Sequence, residues 1–257
     1  MNAAEKWVAF STITRKELIR ILRIWGQTLL PSVITHTLYL VIFGMFIGSQ
    51  LGGMQGFSYI QFILPGIIMM AVIINSYVNV SSSFFSSKFQ KNIEELLVSP
   101  TPNSIIIAGY VIGGVMRSLI IGIVLLCVSL LFTDIAIYSA SVIFGMAFLT
   151  SVMFSLAGFL NAIYSTKFDD LFVVPTFVLT PLTYLGGVFY SISLLPPFWQ
   201  KVSLFNPILY IIDGFRYGFL GIADSHVWIG MSMLAALSAI LLAINLWLLK
   251  KGTGLKN

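Results

Sequence analysis

Long uncharged stretches make up most of the chain, and short clusters of charge separate them. No Lys, Arg, Asp or Glu occurs between Arg23 and Lys88. A helix crosses the hydrocarbon core of a bilayer in about 20 residues, so this stretch is long enough for two crossings. The Gly-rich residues 49–58 divide it. Applied to the whole chain, the pattern predicts six membrane-spanning helices, at about 27–48, 59–82, 105–132, 138–164, 171–190 and 227–249.

The N-terminal residues, 1–26, have a different pattern, in which an apolar stripe and a cationic face alternate at helical spacing. The stripe consists of Leu18, Ile21, Leu22 and Trp25, and the cationic face of Lys16, Arg20 and Arg23. The pattern predicts an amphipathic helix that lies in the membrane interface, the alternative being a soluble helix that packs on a partner. Because no apolar core precedes a small-residue cleavage site, we expect no signal peptide.

Composition supports a membrane protein. The 257 residues are 58% hydrophobic and 9% charged, whereas soluble domains are about 25% charged. We therefore predict an all-α fold with a single transmembrane domain at 27–257. Cys127 is the one cysteine, which excludes an internal disulfide and a multi-cysteine metal site. We interpret His36 and His226 as packing or interfacial residues, since a metal site needs three or four ligands.

The segment 191–224 is apolar enough at 205–221 to resemble a seventh crossing. Such a crossing would bury Asp213 and Arg216 in the membrane, where each charge costs several kcal/mol. It would also separate Lys250 and Lys251 from the N-terminal cations, against the positive-inside rule. The sequence instead predicts a re-entrant or interfacial pair of short helices, with breaks at Pro196-Pro197 and Asn206-Pro207.

The positions of the cations then predict the orientation. The cations placed on the cytoplasmic side are Lys6, Arg15, Lys16, Arg20, Arg23, Lys88, Lys91, Lys167, Lys250, Lys251 and Lys256. Lys201 and Arg216 fall outside, so both termini are predicted to be cytoplasmic. The net charge of +5 fits this orientation better than a nucleic-acid partner. Arg117 lies within the third span. It has a functional role there, or it links helices structurally, or its side chain extends toward the membrane interface.

The charged stretch between the second and third spans reads KFQKNIEELLVSPTPNS, residues 88–104. Residues 88–98 can form a short helix, which Pro100 ends because proline cannot continue it. Leu96 and Leu97 face the same way as Ile93, and Glu94 and Glu95 lie beside them. Such a helix either docks into a groove on a partner or is a simple connector.

Two stretches resemble a known family. The run EELLVSPTP, followed by a helix that contains GYVIGG, is similar to the coupling-helix region of ABC exporter permeases of the type 2 class. The region before the last helix of those permeases is similar to residues 181–221 of this chain, PLTYLGGVFYSISLLPPFWQKVSLFNPILYIIDGFRYGFLG. The resemblance covers essentially the whole chain. It implies a homodimeric permease of the bacterial inner membrane, active in efflux in contact with membrane lipids, above a separate ATPase subunit that holds ATP and Mg.

The resemblance also implies roles for individual residues. Those of the ATPase-coupling helix are Glu94, Glu95, Leu96, Leu97 and Pro100. Those of an outer gate are Gly186, Gly187, Pro196, Pro197, Asn206, Pro207, Tyr210, Asp213 and Arg216. The N-terminal amphipathic helix would rest near the ATPase. The substrate would be hydrophobic or amphipathic: a lipid, a glycolipid-like molecule, a polymer or a drug.

Motifs for chemistry on this chain are missing from the sequence. It contains no G-x-x-x-x-G-K-[ST] to cradle ATP phosphates and no H-E-x-x-H, so we expect neither an enzyme nor a bound cofactor. One alternative is an ATP-independent secondary transporter, but such proteins have inverted repeats and mid-membrane ionisable groups. Another is an intramembrane enzyme or an assembly or scaffold protein. An intramembrane enzyme would require convergent Asp, His or Ser residues.

Overall fold

The structure is a computed structural model that describes residues 1–51, 53–252 and 254, except for the side chain of Leu97. Its helices are α1 (Ala3–Arg23), α2 (Trp25–Leu51), α3 (Tyr59–Phe89), α4 (Asn92–Val98), α5 (Asn103–Ser129), α6 (Ala140–Tyr164), α7 (Asp170–Leu185), α8 (Pro197–Leu204), α9 (Pro207–Leu220) and α10 (Val227–Lys251). Two short strands, β1 (Gly53–Met54) and β2 (Phe57–Ser58), form an antiparallel hairpin between α2 and α3. The chain is an all-α membrane protein. Lys256, one of the cations assigned to the cytoplasmic side, lies outside the described residues.

Five helices in the described part of the chain are long and apolar enough to cross a membrane: α2, α3, α5, α6 and α10. The sixth predicted span, 171–190, corresponds to α7, which is apolar but shorter than 18 residues. The prediction placed its end too late. Gly187 has a φ of +79°, a left-handed conformation that favours glycine and ends the helix. Residues Pro175–Leu179 form a π-type turn inside α7, which fits the missing N–H of a proline.

The second predicted span, 59–82, is also corrected, because α3 continues to Phe89. The last turns of α3 bury Phe84 and Phe85 in an apolar core, so the helix gains by extending past its uncharged part. Lys88 belongs to this extension, and its Nζ donates to the carbonyl oxygens of Ile163 (2.7 Å) and Ser165 (2.9 Å). The short helix α4 therefore begins at Asn92 instead of Lys88.

The interior divides into two apolar cores at opposite ends of the helix bundle. We call them the hairpin-end core, which includes Tyr59, Phe62 and Phe215, and the α4-end core, which includes Ile13, Phe84, Ile93 and Phe159. Between them lies a polar layer made of buried side chains from α3, α5 and α6. Its members are Asn75, Ser76, Asn79, Arg117, Ser118, Ser151 and Ser155. Hydrogen bonds within the layer, such as Ser118 Oγ to Ser151 Oγ (2.8 Å), offset the cost of burying these groups.

Helix α1 packs on α5 through two glycines. A Cβ on Gly109 would collide with Ile13, and one on Gly113 would come within 2.8 Å of Glu17 Cβ. The buried face of α1 consists of Ile13, Glu17 and Ile21. The spacing of Gly109 and Gly113 thus permits close approach of two helices within one chain.

Two of the three cations on the predicted cationic face of α1 bind groups of the same chain. Lys16 Nζ donates to Ser87 Oγ (3.2 Å), and Arg20 Nη2 donates to Asn79 Oδ1 (2.8 Å), so both side chains point toward α3. Polar acceptors along α3 account for this orientation, since they offer hydrogen bonds to both cations. Leu22 and Trp25 of the apolar stripe are exposed on the molecular surface instead.

Candidate functional sites

The short helix α4 lies between α3 and α5 and has one inward and one outward face. Ile93 is buried in the α4-end core, and Leu96 is partly buried against the same core. Glu94, Glu95 and Val98 are exposed, Val98 at 86%. The apolar edge is therefore used largely by the chain itself, and the outward face is acidic with one apolar residue at its end. The predicted contact residue Leu97 has a side chain outside the described set.

Both ends of α4 are fixed by local geometry. Lys91 precedes it with a φ of +61°, which turns the chain sharply after α3. After it, Ser99 Oγ donates to the carbonyl of Leu96 (2.6 Å), and Pro100 stands where the helix has ended. Glu94 and Glu95 lie in the first turn, where a negative charge also stabilises the helix through its dipole.

A pocket opens on each side of α4. One pocket, of about 290 Å³, separates it from α1 and is lined by Thr12, Lys16, Ser87, Glu95, Leu96 and Tyr110, among others. The other, of about 310 Å³, faces the loop between α6 and α7 and is lined by Phe85, Lys88, Lys91, Glu94, Ser165 and Thr166, among others. Each acidic residue of α4 thus lines a different pocket, and each pocket contains a cation as well.

At the opposite end of the bundle, Arg216 and Asp213 on α9 are both 3% exposed. Their nearest charged atoms, Nη1 and Oδ1, are 3.9 Å apart. Arg216 Nη2 donates to the Gly187 carbonyl (2.6 Å), its Nε donates to the Phe62 carbonyl (3.3 Å), and its guanidinium lies 4.0 Å from the centre of the Phe62 ring. Arg216 thereby joins α9 to α3 and to the turn after α7.

Asp213 has a different set of partners. It accepts hydrogen bonds from the backbone N–H groups of Asp224 (2.9 Å) and Ser225 (2.6 Å), and from Ser225 Oγ (2.6 Å). The carboxylate therefore holds the turn between α9 and α10. The two charges are paired, but each is bound more closely by neutral groups than by the other.

The remaining predicted outer residues shape the turns around this pair. Asn206 caps α9 by accepting from the Ile208 N–H (3.0 Å), and its Nδ2 donates to the Leu182 carbonyl on α7 (2.6 Å). Tyr210 Oη donates to the Leu204 carbonyl on α8 (3.0 Å). Gly186 packs against Ile208, where a Cβ would be 3.1 Å from its Cγ2. Pro196 immediately precedes α8, and Pro197 and Pro207 are the first residues of α8 and α9.

Sequence reasoning missed three residues that tie the hairpin to this region. Gln55 Nε2 donates to Asp224 Oδ1 (3.2 Å) and to Ser191 Oγ (3.3 Å), and Ser191 Oγ donates to Asp224 Oδ2 (2.8 Å). All three lie in turns, where no periodic pattern marks a contact. The one local signal in the sequence is Gly56, since glycine favours a tight turn. In the structure Gln55 and Gly56 form the hairpin turn, with positive φ values of 51° and 88°.

Arg117, the charge predicted inside the third span, is a tie within the polar layer and does not reach toward solvent. It is 7% exposed. Its Nη2 donates to the Thr28 carbonyl (2.7 Å) and to Asn75 Oδ1 (3.1 Å), and its Nη1 lies 3.5 Å from Asn79 Oδ1. One side chain on α5 thereby connects α2 and α3.

Comparison with known proteins identifies relatives along the whole chain. A family model described as "ABC-2 type transporter" matches residues 8–220. The chain is 55% identical over 251 residues to the inner membrane transport permease YadH of Escherichia coli strain K12, with 98% of each chain covered, and it has the same identity to the protein of that name in Shigella flexneri. It is 22% identical over 236 residues to nodulation protein J of Rhizobium leguminosarum bv. viciae. The aligned region covers 88% of this chain and 90% of the nodulation protein.

Proposed function

The chain belongs to the ABC-2 type transporter family and is a membrane transport subunit, and we propose that it is the permease of an ATP-driven exporter in the bacterial inner membrane. In this proposal two copies form the translocation pathway, and a separate ABC ATPase subunit hydrolyses ATP. The substrate is hydrophobic or amphipathic, of the lipid, glycolipid-like, polymer or drug kind. The name of the 55% identical relative supports the location.

The observation that carries the proposal is the outward face of α4. A loop that merely connects two spans needs only to be polar. The orientation of the chain in the membrane depends on Lys and Arg, so it does not account for acidic residues in this loop. This loop instead forms a helix anchored by Ile93, with Glu94 and Glu95 held outward at defined positions. Two acidic side chains held at fixed, exposed positions can pair with cations on the surface of a soluble partner. We assign this end of the bundle to the cytoplasm, where the ATPase is.

The test is a double charge reversal, Glu94→Lys with Glu95→Lys. An exposed charge contributes about 1 kcal/mol or less, whereas a charge buried against a partner costs several kcal/mol when its counterpart is left unpaired. We expect copurification of the ATPase, or ATP hydrolysis by the reconstituted complex, to fall about tenfold or more. The matched control is Asp169→Lys, which reverses an exposed acid in the loop before α7 and should leave both readouts unchanged.

Two outcomes would contradict the proposal. One is wild-type ATPase binding and ATP-driven export in the double variant, which would make α4 a simple connector. The other is transport by the purified chain with no ATPase present, which would favour a secondary transporter. The mass of the detergent-solubilised complex tests the homodimer separately, since two permease copies and two ATPase copies are expected.

A further inference from the structure

The polar layer contains an excess of positive charge next to α1. Arg20 Nη2 binds Glu17 Oε2 (2.9 Å) and Asn79 Oδ1 (2.8 Å), and Ser83 Oγ donates to Glu17 Oε1 (2.6 Å). Arg117 Nη1 lies 3.5 Å from the same Asn79 oxygen. Two guanidinium groups therefore share one neutral oxygen, and one carboxylate balances only one of them. We call these four residues, Glu17, Arg20, Asn79 and Arg117, the cationic cluster.

The cluster also holds donors that nothing in the described part of the chain accepts. They are Arg20 Nε, Arg117 Nε and Asn79 Nδ2, and all three atoms are buried. Asn79 is 0% exposed and Arg117 is 7% exposed. More than about nine-tenths of buried polar groups in proteins have a hydrogen-bond partner. Three unused donors on adjacent side chains point to an acceptor that comes from outside the chain.

The groups facing the cluster from each neighbouring helix do not supply that acceptor. From α1, Lys16 adds another cation, bound to Ser87 on α3. From α2, the Thr28 carbonyl is taken by Arg117, and Ser32 Oγ accepts from Asn75 Nδ2 (2.7 Å). From α3, Asn75 Oδ1 is likewise taken by Arg117. Water would satisfy the donors but would leave the charge unbalanced, and an uncompensated charge is expensive at this depth.

We propose that the cationic cluster binds the anionic headgroup, phosphate or carboxylate, of an amphiphile in the leaflet that contacts α1. The side chain of Arg20 is 26% exposed, and Thr28 and Ser32 are partly exposed, so the cluster opens between α1 and α2. Leu22 and Trp25, which lie between Arg20 and Thr28 in the chain, are exposed apolar side chains, as expected of a segment in contact with lipid.

The site needs a bilayer but neither ATPase nor transport, so its test is independent of the proposed function. The full chain is reconstituted in nanodiscs of phosphatidylcholine alone or with phosphatidylglycerol, and its thermal unfolding midpoint is measured. The decisive variant is Asn79→Asp, which places a carboxylate between the two guanidinium groups. We expect it to fold at least as stably as wild type and to lose the stabilisation by phosphatidylglycerol, with affinity for that lipid falling about tenfold.

Two further variants separate the site from general attraction to anionic lipid. Arg117→Met should lose the same stabilisation and Arg117→Lys should retain part of it, whereas Arg23→Met, which removes an exposed cation of α1, should behave as wild type. If Arg117→Met fails to fold, Asn79→Asp still decides. Full phosphatidylglycerol dependence in Asn79→Asp would overturn the proposal. Equal stabilisation of wild type by inorganic phosphate in phosphatidylcholine discs would also overturn it, because the site would then take a free anion.

Discussion

Replacing Arg216 with Met tests whether the hairpin end of the bundle is held together by one buried cation. The substitution keeps most of the side-chain volume but removes the donors to the Gly187 and Phe62 carbonyls, and the charge beside Asp213. Two carbonyl groups on different segments each lose a charged donor at once. The carboxylate of Asp213 keeps its three donors from Asp224 and Ser225 but loses its cation.

The size of the effect follows from these contacts. A hydrogen bond to a charged group contributes about 1.5–3 kcal/mol, and breaking a buried ion pair by removing one partner costs about 3–5 kcal/mol in total. We therefore expect Arg216→Met to lower the free energy of unfolding by about 3–5 kcal/mol. Arg216→Lys should recover only part of this, because a single ammonium lacks the planar fork that reaches both carbonyls.

Asp213→Asn should cost less than Arg216→Met, since an amide oxygen can still accept from the turn at Ser225 while Arg216 keeps both carbonyls and the Phe62 ring. The assay is chemical unfolding of the purified chain in mixed micelles, with Lys201→Met as control for loss of an exposed cation on α8. The reasoning would be refuted if the free energy of unfolding of Arg216→Met lay within about 0.5 kcal/mol of the value for the Lys201→Met control, because a change of that size is typical of surface positions.

Two other predictions concern α1 and the topology. Gly113→Leu should detach α1 from α5, because even a Cβ at this position would collide with Glu17. Protease cleavage within α1 should then become faster. The control is Gly26→Ala, which should leave the cleavage rate unchanged because a Cβ there would meet nothing within 4 Å. In a Cys127→Ser background, an impermeant maleimide applied from outside should label cysteines placed at Asp134 and Lys201 and spare those at Gln90 and Lys251. External labelling at position 251 would contradict an even number of crossings.

Local chemistry accounts for the parts of the fold that the sequence predicts. The breaks before Pro197 and Pro207 follow from proline's missing N–H, and long apolar runs require helices in a bilayer. The end of α3 could not be predicted in the same way. Its last turns are stabilised by Phe84 and Phe85 in a core assembled from distant helices, and by carbonyls at 163 and 165 that accept from Lys88. Tertiary packing thus overrode the local pattern of charge.

The candidate sites likewise divide into features that local sequence predicts and features that depend on tertiary packing. The spacing of Glu94, Glu95 and Pro100 marks α4 in the sequence, because everything needed lies within one short segment. The burial of Glu17 has no such mark: it is one more charge on an amphipathic helix until Gly113 lets α1 approach and Ser83 supplies a donor. A network whose members are far apart in the chain leaves no periodic pattern, and Gln55 with Asp224 is a second example.

The two-core interior determines how a force on α4 would spread. Ile93 and Leu96 pack in the same core as Ile13 of α1 and the ends of α3, α5, α6 and α10, so these parts are coupled by close packing. The hairpin-end core meets them across side chains that bind through hydrogen bonds, and of the described residues Leu119 and Leu241 pack against both cores. Polar partners at a layer of this kind can be exchanged for others during a movement, whereas interlocked apolar side chains cannot be displaced without opening cavities. We therefore expect the α4 end to move as a body relative to the hairpin end, with the polar layer as the level at which the helices reorient.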